Sequence, residues 1–132
     1  MQLVNAYPPN YEDIKKVLNP PETAVFAYGN IIYNPSGGKV YPDLEKHEDT
    51  HRKQQEVFGS IELWWNRYLL DPKFREECEV EAYRAQYHFL KGIMTRNDLK
   101  TALFEFADRL STLYGLGLSY QEAEQRIRKY NV

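Results

Sequence analysis

Hydrophobic and polar positions divide the chain into a turn-rich first third and a helical remainder. Over Tyr11–Leu18, Ile14, Val17 and Leu18 fall on one helical face, with Asn10 at the N-cap and Asn19-Pro20-Pro21 as the stop. Thr23–Tyr28 (TAVFAY) is dense in β formers, and Gly29-Asn30 is a two-residue turn signal leading into Ile31–Tyr33. After a second turn, Asn34–Gly38, the segment Lys39-Val40-Tyr41 is placed to pair back. The expectation is a small antiparallel hairpin or meander.

From residue 43 the spacing turns helical. Asp43 is the expected N-cap of a helix to about Phe58, which Gly59 ends. Ser60 precedes a short aromatic helix, Ile61–Leu70, containing Trp64, Trp65 and Tyr68. Asp71-Pro72 opens a long helix to about Leu90, closed by Gly92. Within it Phe74, Cys78, Ala82, Ala85 and Phe89 recur at three- and four-residue spacing and predict one buried stripe. Asn97 or Asp98 caps a further helix through Tyr114, with Leu99, Leu103, Phe106 and Leu110 inward. Ser119-Tyr120-Gln121-Glu122 reads as a capping box opening a last helix to Tyr130. The predicted fold class is α+β, mainly helical, with the small β-hairpin or meander followed by a helical bundle. One domain over residues 1–132 is expected, because this length supports one core rather than two.

Composition narrows the function classes. Seventeen Lys and Arg against 19 Asp and Glu give a net charge of −2 with no basic block. That argues against a nucleic-acid partner or a polybasic membrane anchor. No apolar run approaches the roughly 20 residues a membrane span needs. The first 18 residues, with Pro8, Pro9, Glu12 and Asp13, are unlike a signal peptide, so a cytoplasmic location is expected. A lone cysteine, Cys78, excludes an internal disulfide and a thiolate zinc cluster. On the buried stripe it reads as a small apolar filler.

The chemistry is concentrated at His47-Glu48-Asp49-Thr50-His51, an HExxH sequence inside a predicted helix. Residues four apart lie one turn above each other, so both imidazoles can reach one metal ion. Glu48 is offset by one position, beside the metal rather than on it, where it can take a proton from a metal-bound water. Two histidines with an open position suit Zn²⁺. A solvated helix face is the bland alternative for the bare motif. Against it, two of the three histidines in the chain fall at the required spacing, in a capped helix directly after a hairpin.

Downstream, the long helix carries Glu79-Val80-Glu81-Ala82. HExxH followed by this ExEA segment resembles the gluzincin metallopeptidases, in which a glutamate on a later helix completes the zinc site. The wider run over roughly residues 24–90 is similar to small phage-encoded and bacterial peptidase-like proteins. It includes Ala27-Tyr28-Gly29, Pro42, HEDTH, Gln54-Gln55, Trp64-Trp65, Tyr68 and EAYRAQ. The resemblance implies a zincin-like bundle, with His47, His51 and Glu79 as zinc ligands and Glu48 as general base. The substrate implied is a peptide or protein, and a virion-associated setting follows if the gene is a phage's. The hairpin Thr23–Tyr33 would match the strand beside the cleft, to which an extended peptide adds through main-chain hydrogen bonds. Tyr28, Tyr33, Trp64 and Trp65 could line pockets, although plain core packing suits the tryptophans better.

Three features depart from the family pattern. Asp49, flanked by Lys46, Arg52 and Lys53, is charged where the motif is usually uncharged, which predicts a helix more exposed than in large peptidases, or a thin cleft wall. Tyr83 stands where the family has an aspartate that orients a histidine ligand; a tyrosine could hydrogen-bond instead, or reach an oxyanion. Finally, 132 residues leave little room for a second lobe, which predicts an open, shallow cleft.

Geometry leaves the third ligand open between two residues. At 100° per residue from Phe74, Glu81 lies about 60° from the centre of the apolar stripe and Glu79 about 100° to the other side. Burial on that stripe favours Glu81. The family pattern favours Glu79, which shares a second face with Gln86 and Leu90 where the HExxH helix could pack. The rival from another class is a non-hydrolytic binding or structural protein of a phage or bacterium, keeping a structural or relic zinc. His88 reads as a surface histidine.

Overall fold

The computed structural model describes residues 1–129. Six helices and a three-stranded sheet are found among them: β1 (Gln2–Val4), α1 (Tyr11–Leu18), β2 (Phe26–Tyr28), β3 (Ile31–Tyr33), α2 (Pro42–Phe58), α3 (Ile61–Leu70), α4 (Pro72–Lys91), α5 (Arg96–Thr112) and α6 (Tyr120–Arg128). The chain is therefore mainly helical with a small sheet, in keeping with an α+β class. None of the described helices is long and apolar enough to cross a membrane.

The hairpin forms where its turn signal lies. Gly29 adopts φ +60°, the left-handed conformation that a two-residue turn demands, and a Cβ there would meet Ile61 Cδ1 at 2.8 Å. Phe26, Ala27 and Tyr28 pair antiparallel with Tyr33, Ile32 and Ile31. The third strand is not Lys39-Val40-Tyr41, which corrects the meander. Instead β1 pairs parallel with β3, Leu3 opposite Ile32, in the order β1-β3-β2. The far edge of β3 is thereby taken, and Val4 C=O also accepts from Asn34 N–H at 2.8 Å. Asn34 then closes its own loop on Gly38 C=O, and Tyr41 becomes the N-cap of α2 with Pro42 as its first residue. Proline's fixed φ favours that position, which moves the helix start one residue ahead of Asp43.

Helices α3 to α6 follow their caps, whereas Asn10 precedes α1 without a side-chain cap hydrogen bond. Ser60 and Asp71 accept backbone N–H groups at the starts of α3 and α4, and Ser119 with Glu122 forms the capping box of α6. Thr95, rather than Asn97 or Asp98, caps α5, because its hydroxyl accepts from Asp98 N–H. α5 ends at Thr112, two residues before Tyr114. The expected terminus of α6 at Tyr130 lies outside the described residues.

Two apolar clusters hold the molecule. One joins Ile14, Phe26, Trp64, Trp65, Tyr68 and Cys78; the other joins Val80, Tyr83 and Leu90 to α5 and α6. α4 belongs to both, and α2 packs along it. The buried face of α4 is consequently displaced from the predicted stripe. Cys78 and Ala82 are buried, but Phe74, Ala85 and Phe89 are only half-buried. Arg75, Glu79, Tyr83, Gln86 and Leu90 are buried instead. A hydrophobicity count misses this face because polar side chains occupy half of it.

Candidate metal centre

α2 brings His47, Glu48, His51 and Gln55 to its buried side, as spacings of one, four and eight residues require. Ligand atoms of His47, Glu48 and His51 lie within 4.8 Å of one another. The charges that suggested an exposed helix occupy the opposite side. There Asp49 pairs with Arg52 at 2.6 Å and Lys53 at 3.5 Å, and Arg52 with Glu56 at 2.9 Å. One face of α2 is exposed, and the face carrying His47, Glu48, His51 and Gln55 is buried.

Glu79 rises from α4 between the two imidazoles. Its Oε1 lies 3.1 Å from His47 Nε2 and its Oε2 3.1 Å from His51 Nε2, with the carboxylate only 2% exposed. Glu81, the other candidate, is exposed and accepts a hydrogen bond from Gln54 Nε2. Tyr68 O–H donates to Glu79 Oε2 at 2.5 Å.

The outer nitrogens of both rings are held by amides whose orientation is dictated. Gln86 Nε2 donates to Asp43 Oδ2, an acceptor, so Gln86 Oε1 faces His47 Nδ1 at 3.0 Å. Gln54 Nε2 donates to Cys78 C=O and Glu81, so its Oε1 faces His51 Nδ1 at 2.9 Å. Both Nδ1 atoms must therefore carry hydrogen. In neutral rings the bare Nε2 lone pairs would then point at carboxylate oxygens, acceptor against acceptor. The arrangement requires positive charge between them, as protons or as a cation.

Electrostatics follow the same logic. Burial alone would lower the His51 pKa, but the charge and hydrogen bond of Glu79, with Glu48 and Gln54, raise it to about 9. Burial would raise Glu79, yet the two histidines hold it well below the usual carboxylate range. Glu48 is pushed up by burial and by Glu79, against the opposing pull of both histidines and the Ala27 backbone N–H that faces it. A carboxyl whose pKa is raised is a better proton acceptor than an ordinary one.

The donor set suits zinc. Two imidazole nitrogens and a carboxylate match its preferences, and bonds of 2.0–2.1 Å place tetrahedral ligand atoms about 3.3 Å apart. The 3.1 Å separations of Glu79 from each ring nitrogen are close to that edge.

A cavity of about 310 Å³ opens onto these residues. One wall is apolar: Ile14, Leu18, Pro20, Pro21 and Thr23–Phe26, with Trp65. Tyr83, Arg109, Leu113 and Tyr114 also line the cavity. The expectation of a shallow cleft is corrected here, since His47, Glu48 and His51 are at most 5% exposed. α1 and the end of α5 supply the walls that the motif segment alone lacks.

Two further expectations change. Tyr83 does not hydrogen-bond a histidine: its ring meets the His47 ring edge-on at 4.5 Å, and its hydroxyl pairs with Tyr114 O–H at 2.8 Å. Gln86 orients His47 instead. The hairpin edge at Ala27 is already filled, because its C=O accepts from Gln55 Nε2 and Trp65 Nε1 while Gly29 N–H donates to Gln55 Oε1. A peptide cannot add there, and Thr23–Val25 is the part of this segment that faces the cavity together with Phe26 and Ala27. Trp64 and Trp65 are core residues that also border the cavity. Cys78 is buried, its thiol pushed up to about 12 by burial and neighbouring glutamates. His88 is exposed.

Residues that sequence patterns did not single out include Asp43 as the anchor of Gln86, Tyr114, and Arg75. Buried Arg75 donates to Tyr68 C=O, Leu69 C=O and Tyr114 C=O, tying the end of α3 to the segment after α5. A signal existed for Gln86, which stands seven residues, two turns, after Glu79. No protein-family model, curated protein or solved structure matches the chain.

Proposed function

We propose that this protein is a zinc-dependent peptidase of gluzincin type, in which His47, His51 and Glu79 hold one Zn²⁺ and Glu48 is the general base. The observation that carries the reading is the facing of two Nδ1–H imidazoles onto one buried carboxylate, which a divalent cation resolves. Bound there, zinc lowers the pKa of a water to roughly 7 and polarises a carbonyl.

The chain's own residues supply the remaining steps. Glu48 accepts a proton from the attacking water and hands it to the leaving amine. Tyr68 fixes the Glu79 carboxylate, while Gln54 and Gln86 hold the imidazole planes. The apolar wall of Ile14, Leu18 and Phe26 receives a hydrophobic side chain of a peptide lying past Thr23–Val25.

Elemental analysis of protein purified without a histidine tag tests the reading. One zinc per chain is expected, with peptide hydrolysis lost on chelation and regained on adding zinc. The helical signal should survive chelation, because both apolar clusters stand without the metal; a structural zinc would take the fold with it. Far less than one zinc after reconstitution would refute the proposal.

A further inference from the structure

The wall of the cavity formed by the end of α5 carries donors without acceptors. Arg109 is the arginine or lysine among the cavity-lining residues, and no carboxylate among the described residues lies within ion-pair distance of it. Tyr83 and Tyr114 line the same cavity as Arg109, and their hydroxyls bond to each other. One of the two donates in that bond, so the other keeps an O–H with no described acceptor. The carboxylates of the cavity, Glu48 and Glu79, lie with the histidines.

We propose that Arg109, with the free hydroxyl of the Tyr83–Tyr114 pair, receives a carboxylate of the substrate at the α5 end of the cavity. A guanidinium and a phenol O–H match two carboxylate oxygens. The carboxylate is either the C-terminus of the peptide or an acidic side chain. The inference rests on reading the cavity as a peptide site and adds the charge class of the peptide.

Two matched pairs of peptides test it: N-acetyl-Ala-Phe-Leu-Ala as free acid and as amide, and N-acetyl-Ala-Phe-Leu-Asp amide against its Asn counterpart. Each is assayed for kcat/KM on the zinc-loaded protein. Each is also titrated calorimetrically into the metal-free protein, which needs no turnover. Wild type should favour the charged member of one pair by about tenfold, the scale of a hydrogen bond to a charged group. That ratio should fall to near one in Arg109→Gln and recover in part in Arg109→Lys, at unchanged melting temperature. The pair that shows the effect identifies the source of the carboxylate. No acid preference in either assay, or a preference that survives Arg109→Gln, overturns the inference. Hydrolysis without acid preference would leave the peptidase reading standing. Acid-selective binding lost in Arg109→Gln, without hydrolysis of any peptide, would overturn that reading and support this one.

Discussion

The Tyr68 hydroxyl donates to Glu79 Oε2 at 2.5 Å, linking the aromatic helix α3 to the carboxylate that both imidazoles face. The ring is held independently, stacked on Trp64 at 4.9 Å and edge-on to Trp65 at 5.2 Å. Tyr68→Phe therefore removes the donor and keeps the packing. Metal affinity should drop by about 10–100-fold, as for loss of a group that orients a ligand. Stability of the metal-free protein should fall by about 1.5–3 kcal/mol, the cost of a lost hydrogen bond to a charge. Chelator competition and urea denaturation measure the two.

Glu79 and Glu81 separate by the same competition assay. Glu79→Gln removes the anion between the histidines and should abolish stoichiometric zinc. Glu81→Gln still offers Gln54 an oxygen, so its zinc affinity should change by less than about tenfold. If Glu81→Gln gave up metal first, Glu79 would not be the ligand.

Glu48→Gln keeps the shape of the side chain beside Ala27 while removing the base. Zinc content should hold and hydrolysis fall by a factor on the order of 10² or more. Because folding raises the Glu48 pKa, its ionised form opposes folding near neutral pH. The variant should therefore melt no lower than wild type, which scanning calorimetry reads directly.

The metal-free protein should lose stability in alkali. The folded His51 pKa of about 9 lies above the ordinary 6.5, so its contribution is complete below pH 6.5 and disappears as pH rises through about 9. Glu79, held low in the folded state, contributes above the ordinary carboxylate range and loses that contribution as pH falls below it. The melting temperature of chelated protein should decline between pH 6.5 and 9.5. In zinc-loaded protein the cation replaces the proton and the decline should vanish. Zinc added at pH 7.5 should release protons, measurable by pH-stat. An equal decline with and without zinc would show that His51 does not bind it.

What the sequence by itself determined is local. Helix starts and stops at Ser60, Asp71 and Ser119, the turn at Gly29-Asn30, and the shared face of His47 and His51 depend on residues within a few positions of each other. Those interactions form inside one segment. The choice of Glu79 over Glu81 as the carboxylate between the histidines came from tertiary structure, because it depends on which side of α4 receives α2, and that contact spans 32 residues from His47. The same holds for Gln86 as the orienting group of His47, for Tyr114 against Tyr83, and for β1 on β3. Polar side chains buried on α4 are invisible to a hydrophobic count, since their burial is favourable only when a distant partner satisfies them. The depth of the cavity is decided in the same way: its walls come from α1 and α5, brought to the motif only when both apolar clusters close on α4.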